Sequence, residues 1–445
     1  MAPLPEIQPS IEWNPQFQKA FDWLEHKGKH LFITGQAGTG KSTFLEQFRR
    51  KTKKNVAVVA PTGVAAVNVM GQTIHSFFRF KPDVTIDSVE DIRLNRSQKE
   101  IFKNLDLLIV DEISMVRSDL LDCMDKFLRM HAKHEGLPFG GVQMALLGDL
   151  LQLPPIVTAE EQEHYGQMYE SPYFFHSKVF RSLELEYVMF EKIYRQQDAQ
   201  FIQLLEGVRN NTLTVDQLKT LNARFKPAFE PSENDFYIYL TTTNSMADQI
   251  NAERLNRLKT KSYQLQGQLS GDFDNRWLPT QKALDLKYSA QVMLLNNDPL
   301  GRWVNGSVGK IVGVNEEDGR INLIHVELTN GRRVDVKAFT WEMYRFIFNK
   351  EENRLESEPV GSFTQFPLKL AWAVTIHKAQ GKTFEKVIVD IGYGTFAYGQ
   401  LYVALSRSTS MEGLILKKPI QQRHIKTDQR VLDFLSASLP SGISN

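Results

Sequence analysis

The chain has 445 residues, more than one hydrophobic core usually organises, so we expect two or three domains. Its 53 lysine and arginine residues balance 52 aspartate and glutamate residues, which excludes bulk positive charge as the means of binding nucleic acid. A single cysteine excludes a disulfide framework, and the lack of a leader or long apolar run predicts a soluble cytoplasmic protein with no membrane partner.

Short apolar runs in the first third of the chain predict the strands of a parallel sheet. They are rich in Val, Ile and Leu and alternate with helical stretches, as buried parallel strands do. The runs are Leu31–Thr34, Val56–Ala60, Leu107–Val110 and Val142–Leu147. Similar runs at Phe236–Leu240, Val387–Ile391 and Leu414–Leu416 predict a second α/β lobe.

The first run leads into a glycine-rich segment, residues 35–42 (GQAGTGKS), and then an amphipathic stretch. This strand–loop–helix order is typical of a phosphate-binding loop, although a glycine-rich turn can match the pattern by accident. Backbone N–H groups would wrap the phosphates, Lys41 would reach the β- and γ-phosphates, and Ser42 would hold Mg²⁺. The residues predicted to contact ATP are Gly38, Thr39, Gly40, Lys41, Ser42 and Thr43.

An acidic pair follows the third run. Parallel sheets bind ligands at the carboxyl ends of their strands, where Asp111 and Glu112 stand. We expect Asp111 to hold Mg²⁺ through water and Glu112 to orient or deprotonate the attacking water. Together with the phosphate loop, the pair predicts triphosphate hydrolysis.

Residues 268–360 show a different pattern, in which turn signals separate short stretches. The turn signals Asn305-Gly306, Glu317-Asp318-Gly319 and Asn330-Gly331 separate stretches such as Ile321–Leu328 and Arg332–Val336. Short strands joined by tight turns predict a small β-barrel, inserted into the second lobe. After Arg423 we expect a short helix at Val431–Leu435 and then a disordered end.

Five more segments narrow the kind of ATPase. They are Ala60–Ala66 (APTGVAA), Gly71–Phe78 (GQTIHSFF), Gly148–Pro155 (GDLLQLPP), Thr375–Thr383 (TIHKAQGKT) and Tyr402–Arg407 (YVALSR). At these residues the sequence resembles the superfamily one, group B helicases, and more narrowly the Pif (petite integration frequency) family of DNA helicases. The resemblance covers about residues 18–410. The long N-terminal extension of eukaryotic relatives is lacking, so we expect a bacterial or phage source and a nucleoid-associated protein.

The resemblance implies an α/β fold of two RecA-like parallel-sheet lobes with ATP between them and a small inserted SH3-like β-barrel. Lobe 1A would span residues 1–183 and carry a small wedge, 1B, at about 80–104. Lobe 2A would span 184–267 and 361–425, the SH3-like insert 2B would span 268–360, and 426–445 would form a C-terminal tail.

The resemblance also implies roles in the nucleotide cleft. Gln18 would read the adenine, unless it is a solvated helix residue, and Gln152 would sense the γ-phosphate. Arg195 and Arg407 would approach the γ-phosphate from the second lobe, unless they are surface arginines. Gly381 and Lys382 would line the cleft, with a purely structural turn as the alternative.

A single-strand channel is implied as well. Its candidate residues lie after strands or at helix starts in both lobes and in the insert: Thr62, Gly63, His75, Phe77, Thr242, Thr243, Asn244, Asn305, Gly306, His377 and Lys378. Several of these residues could instead be purely structural. The threonines with Asn244 could cap a helix, the histidines and Phe77 could belong to the core, and Asn305-Gly306 could be only a hairpin turn.

The resemblance therefore implies an ATP- and Mg²⁺-dependent helicase that moves 5′-to-3′ on single-stranded DNA. It would act as a monomer on forked or tailed duplexes, with G-quadruplexes as a further family substrate, in replication, repair, recombination or telomere maintenance. A RecD-type subunit of a larger complex, a DNA-stimulated ATPase that does not unwind, and a non-enzymatic DNA-binding module are the alternatives. A GTPase switch is disfavoured because no Asn-Lys-x-Asp motif is present.

Overall fold

The structure is a computed structural model, and it describes residues 13–196, 198–392 and 394–438. It has the α/β architecture expected from the sequence, with two parallel sheets and a large β-rich insert. No helix among these residues is long and apolar enough to cross a membrane.

The first lobe is built on one parallel sheet. Its strands are β1 (His30–Gly35), β2 (Val56–Ala60), β3 (Gln72–Thr73), β4 (Leu107–Val110), β5 (Gln143–Leu147) and β6 (Leu185–Phe190). They lie in the order β3-β2-β4-β5-β1-β6. The helices are α1 (Pro15–Glu25), α2 (Lys41–Lys51), α3 (Gly63–Asn68), α4 (Ile74–Phe78), α5 (Arg96–Asn104), α6 (Ser118–His131) and α7 (Ala159–Met168). Short 3-10 helices lie at Asp87–Asp91, Ile113–Met115, Pro138–Gly141, Phe174–His176 and Val179–Ser182. All four predicted strands are confirmed.

The edge strand β6 corrects the expected boundary between the lobes. It pairs in parallel with β1 from His30 opposite Leu185 to Gly35 opposite Phe190. The first lobe therefore extends to Phe190, and the boundary expected after residue 183 is wrong. Its pairing partner lies about 155 residues earlier in the chain, so no local signal assigns this strand to the first sheet.

The second lobe is split by the insert. Before the insert it contains α8 (Ala199–Asn210), α9 (Val215–Asn222), β7 (Ile238–Thr241) and α10 (Asn244–Arg257).

The insert is longer than expected. Its strands are β8 (Ser262–Gln266), β9 (Gln268–Gly271), β10 (Ala283–Lys287), β11 (Gln291–Leu294), β12 (Val308–Glu317), β13 (Arg320–Leu328), β14 (Arg333–Val336), β15 (Phe339–Asn349), β16 (Arg354–Gln365) and β17 (Leu368–Leu370), with a 3-10 helix at Asn275–Trp277. Five of them form a sheet in the order β14-β13-β12-β11-β17, which reaches Leu370 and so passes the expected end at residue 360. The β-rich insert is confirmed, whereas an SH3-like barrel stays a prediction.

The second lobe resumes with β18 (Ala373–Thr375), α11 (Ile376–Ala379), β19 (Val387–Asp390), α12 (Gln400–Leu405) and β20 (Leu414–Leu416), followed by a 3-10 helix at Gln422–His424 and by α13 (Gln429–Ser438). Its parallel sheet has the order β18-β7-β19-β20. The three strands predicted for this lobe are confirmed.

Two segments reach back from the second half of the chain onto the first lobe. Phe346 and Leu355 of the β15–β16 hairpin are buried in the first lobe's core, and the Leu355 N–H donates to Asn55 Oδ1 at 2.9 Å. The predicted C-terminal helix is confirmed as α13, and its Phe434 ring stacks on Phe175 at 4.2 Å. The disordered end expected after it lies outside the described residues.

Candidate nucleotide and nucleic-acid sites

The phosphate loop joins β1 to α2. Gly38 and Gly40 have φ angles of 87° and 86°, a region that glycine adopts readily. A Cβ on Gly38 would lie 2.5 Å from Arg195 Cβ, so a larger residue would not fit. The Lys41 ammonium donates to Gly35 O at 2.7 Å and to Gln36 O at 3.0 Å, inside the loop. Thr39 Oγ1 also donates to Gln36 O at 2.9 Å, whereas Ser42 and Thr43 lie in the first turn of α2.

The acidic pair follows β4, as expected. Glu112 has φ 50° and ψ 43°, a left-handed conformation that costs a non-glycine residue about 1–3 kcal/mol and is typical of functional sites. Burial and the neighbouring Asp111 carboxylate raise the pKa of Glu112 to about 7. Burial also raises the pKa of Asp111. The Gln380 amide of the second lobe donates to Glu112 Oε2 at 3.0 Å.

The donor set fits Mg²⁺. Ser42 and Asp111 offer a hydroxyl and a carboxylate after β1 and β4, which flank β5 in the sheet. Mg²⁺ bound with nucleotide takes one or two protein carboxylates, phosphate oxygens and waters. The described residues contain no cluster of three or more His, Cys, Asp or Glu side chains suited to a metal.

Arg407 lies inside the cleft, so the alternative of a surface arginine is wrong for it. Its side chain is 1% exposed and donates to Val403 O at 2.9 Å and to Lys382 O at 3.1 Å. Burial, together with the neighbouring Arg195, lowers the pKa of Arg407 below its usual range, while Glu112 acts in the opposite direction. Arg407 is therefore a buried guanidinium of the second lobe that interacts electrostatically with Glu112 of the first.

Arg195 lies between the phosphate loop and the second lobe. It stands on the segment that leaves β6, packs on Gly38 of the phosphate loop, and donates to Ser406 O and Gly381 O at 3.3 Å each. Its backbone lies in the connection between β6 and α8 and its guanidinium is bonded to the second lobe, so an approach to the γ-phosphate stays a prediction. Burial lowers the pKa of Arg195 to about 10.

Gln152 is buried near the phosphate loop and is held by a group that the sequence reasoning missed. Its Nε2 donates to Asp149 Oδ2 at 3.1 Å, and Asp149 forms a 2.9 Å ion pair with Arg209 of α8. Asp149 lies in the GDLLQLPP segment, which could have drawn attention to it. Arg209 stands in an ordinary amphipathic helix and had no sequence signal.

Gln18 is not brought to the phosphate loop. It is exposed on α1, where its amide accepts from Trp13 Nε1 at 2.5 Å and donates to Asp22 Oδ1 at 2.8 Å. The neighbouring Phe17 ring instead packs against Gly40. The adenine-reading role and the solvated-helix alternative for Gln18 both stay predictions.

The candidate DNA-contacting residues that follow β2 and β7 lie at the carboxyl ends of the two parallel sheets. Thr62 caps α3 by accepting from Ala65 N at 3.3 Å, and Thr243 caps α10 by accepting from Met246 N at 3.3 Å. Thr243 is therefore a helix cap, as the alternative for the threonines before Asn244 expected, and Thr62 is one as well, whereas Asn244 is exposed and Thr242 is buried. Contacts of these residues with DNA stay predictions. Gly63 lies beneath Trp277 of the insert, since a Cβ there would be 2.4 Å from Trp277 Cδ2.

Phe77 is a core residue, and its expected role in stacking a base is wrong. The ring is 6% exposed and packs with Phe102 at 5.1 Å and Phe346 at 5.6 Å. His75, on the same short helix, is half-buried, and burial lowers the pKa of this imidazole.

The second lobe and the insert meet at residues 377–382. Lys378 is exposed, and the half-buried His377 ring lies parallel to Phe396 at 6.3 Å. Phe396 is 61% exposed and was not among the predicted residues; exposed aromatic side chains are the groups on which single-strand-binding proteins stack bases. Lys382 Nζ donates to Asn305 Oδ1 at 2.5 Å, and Gly306 packs against the same lysine. Gly381 keeps a positive φ of 78° with open space around it, so a small ligand group has room there.

Two family models match the parts of the chain that carry these sites. The family model of the PIF1-like helicase matches residues 14–219, and that of the UvrD-like helicase C-terminal domain matches residues 370–411. The ATP-dependent DNA helicase Pif1 of Bdellovibrio bacteriovorus is 31% identical over 95% of this chain and 92% of its own length. The chain spans about 60% of the length of the Emericella nidulans and human PIF1 helicases that it also matches.

Solved structures agree. Pif1 from Bacteroides sp. in complex with ADP-AlF4 superposes with a TM-score of 0.87 at 35% identity, covering 96% of this chain and 97% of that one. The ssDNA-bound Bacteroides Pif1 has a TM-score of 0.67 at 37% identity with the same coverage. The strength and extent of these matches show that this chain belongs to the PIF1-like helicase family.

Proposed function

We propose that this chain is an ATP-dependent DNA helicase that moves 5′-to-3′ along single-stranded DNA. The observation that carries the proposal is the buried Glu112 carboxylate of the first lobe, which interacts electrostatically with Lys41 of the phosphate loop and with Arg407 of the second lobe. Similar proteins from Emericella nidulans and Bdellovibrio bacteriovorus are named ATP-dependent DNA helicases, and the 5′-to-3′ direction rests on the family resemblance.

Each group has a task in phosphoryl transfer. Lys41 and the backbone N–H groups around Gly38 would bind the phosphates, and Glu112 would orient or deprotonate the attacking water. Arg407 would stabilise the charge that develops on the transferred group, a contribution of about 10³–10⁵ in rate for comparable arginines. Ser42 and Asp111 would hold Mg²⁺, which when bound neutralises phosphate charge. Arg407 can act only when the lobes are closed, so hydrolysis is tied to their relative position.

The strand would run across the carboxyl ends of both sheets, past Thr62 and Gly63 in the first lobe and His377 and Lys378 in the second. In this structure the insert covers part of that path, because Trp277 lies on Gly63. The unliganded Bacteroides Pif1 matches this chain with a TM-score of 0.86, whereas the ssDNA-bound form matches at 0.67. This difference supports a change in the arrangement of domains when the DNA strand binds.

Unwinding of tailed duplexes tests the proposal. The purified chain should separate a duplex with a 5′ single-stranded tail in the presence of ATP and Mg²⁺ and leave a duplex with a 3′ tail intact. Lys41→Ala, prepared identically, is the matched control for a contaminating helicase. ATP hydrolysis that is indifferent to added oligonucleotide, with neither duplex separated, would refute the proposal.

The narrower expectations belong to the same proposal. Forked and tailed DNA are the proposed substrates, supported by a relative's structure at forked duplex DNA, with G-quadruplexes as a further one. Action as a monomer, a cytoplasmic nucleoid location, and roles in replication, repair, recombination or telomere maintenance rest on the resemblance. Unwinding by the chain alone would also argue against the RecD-type subunit.

A further inference from the structure

A buried ion pair joins the two lobes beside the phosphate loop. Asp149 follows β5 of the first lobe, and its Oδ1 accepts from Arg209 Nη2 of α8 in the second lobe at 2.9 Å. The Asp149 and Arg209 side chains are 0% and 7% exposed. Burial opposes the charged carboxylate, yet Arg209 and Lys41 outweigh burial and hold the pKa of Asp149 below its usual range. Both partners are therefore charged at neutral pH.

The pair is connected to the part of the cleft that meets the γ-phosphate. The two Asp149 oxygens also accept from the Leu151 N–H at 3.2 Å and from Gln152 Nε2 at 3.1 Å. The position of the Gln152 amide therefore depends on Asp149. The position of Asp149 depends in turn on Arg209 of the opposite lobe.

Two further contacts join the second lobe to the region around Asp149 and Gln152. The Tyr402 hydroxyl accepts from the Ala37 N–H of the phosphate loop at 3.1 Å and donates to Asp149 Oδ2 at 3.5 Å. Gly399, at the start of α12, approaches so closely that a Cβ would lie 2.3 Å from Gln152 O. The contact between the lobes is thus closest where the phosphate loop and the Gln152 loop meet.

The geometry points to an interlobe latch, in which Arg209 and Asp149 act as positioning residues that align Gln152 only when the lobes are fully closed. Opening the lobes would return both charges to water, and partial opening would leave them dehydrated and apart, which is unfavourable. The pair therefore favours two discrete arrangements over a continuum of gaps. This inference rests on the proposed hydrolysis of ATP in this cleft.

Substitutions at both positions test the latch. Arg209→Met should lower the ssDNA-stimulated kcat for ATP by about 10²-fold, the usual size of a misplacement of about 1 Å in an active site. The KM for ATP and the Kd for an oligonucleotide should stay within about three-fold, because Arg209 contacts neither the phosphate loop nor the candidate strand residues directly. Arg209→Lys should recover at least a tenth of wild-type kcat, since it restores the charge without the planar geometry.

Asp149→Asn should match the loss in Arg209→Met, and the double variant should be no slower than either single one, because the two side chains act as one unit. The double variant also removes the uncompensated buried charge, so it tests the latch even where a single variant folds poorly. Arg224→Met is the matched control: Arg224 bonds the Leu414 carbonyl at 2.8 Å within the second lobe, and its kcat should stay within about two-fold of wild type.

Three results would overturn the latch: wild-type kcat in Arg209→Met, losses that multiply in the double variant, or a kcat loss accompanied by an equal loss of oligonucleotide binding. A wild-type chain without DNA-stimulated hydrolysis would instead refute the proposed function itself. The two failures are therefore distinguishable in one set of assays.

Discussion

Glu112→Gln should separate nucleotide binding from hydrolysis. The substitution keeps the size of the side chain and the hydrogen-bonding partner Gln380 but removes the base. A positioned general base contributes about 10²–10⁴-fold in rate, or about 3–5 kcal/mol of transition-state stabilisation. We therefore expect kcat to fall by that factor while ATP is still retained, because Lys41 and the phosphate loop are untouched.

The pH dependence gives the same residue a second signature. Because burial and Asp111 raise the pKa of Glu112 to about 7, the carboxyl is neutral below that pH and becomes the basic carboxylate above it. The kcat/KM for ATP, which reports the free enzyme, should rise with pH through about 7 and then level off. One pH unit below the pKa, about a tenth of the molecules carry the base, so kcat/KM should be about ten-fold below its plateau.

Steady-state ATP hydrolysis between about pH 5.5 and 9, at saturating oligonucleotide and in excess Mg²⁺, measures both the fall in kcat and the pH dependence of kcat/KM. Nucleotide retention on a filter reports binding. Glu46→Gln is the matched control: Glu46 is a half-buried carboxylate of α2 that pairs with Arg50, and this variant should keep both kcat and the pH profile. A Glu112→Gln variant that hydrolyses ATP at the wild-type rate, or that keeps the rise near pH 7, would refute the assignment.

Three further substitutions test separate parts of the structure. Lys41→Ala should abolish hydrolysis because it removes the ammonium of the phosphate loop, and normal DNA-stimulated turnover would refute the site. Arg407→Ala should lower kcat by about 10³-fold and keep oligonucleotide binding, so an unchanged kcat would remove this arginine from the cleft. Phe434→Ala should destabilise the first lobe by about 1–3 kcal/mol, because the ring stacks on Phe175 at 4.2 Å; an unchanged denaturation midpoint would contradict docking of the C-terminal helix.

The parts of the site that depend on local geometry could be predicted from the sequence. Positive φ angles at Gly38 and Gly40 are a property of the loop itself, and the carboxylates after β4 follow from where a parallel strand ends. Both are determined within about ten residues of chain. The β-rich insert was foreseen for the same reason, since Asn-Gly turns are local signals.

The rest depends on contacts between distant parts of the chain. Phe77 stands in an aromatic and basic stretch that suits either a strand-binding surface or a core, and only the packing of Phe346, 269 residues later, decides for the core. Arg209 faces Asp149 because two lobes meet, and Phe396 is exposed because no element within the described residues covers it. Neither periodicity nor spacing carries that information, and the boundary before β6 was misplaced for the same reason.

The chain also supplies a short route between nucleotide and strand. Gln380, which donates to Glu112 Oε2 at 3.0 Å, follows His377 and Lys378 by only two or three residues. A DNA strand that displaced the His377 and Lys378 side chains would move the end of α11. The Gln380 amide, which donates to Glu112, would move with it. Conversely, charge that builds up beside Glu112 during hydrolysis would pull on the same short helix. Because binding linkage is reciprocal, a DNA strand that changed the affinity of this cleft for nucleotide through Gln380 would have its own affinity changed by nucleotide by the same factor.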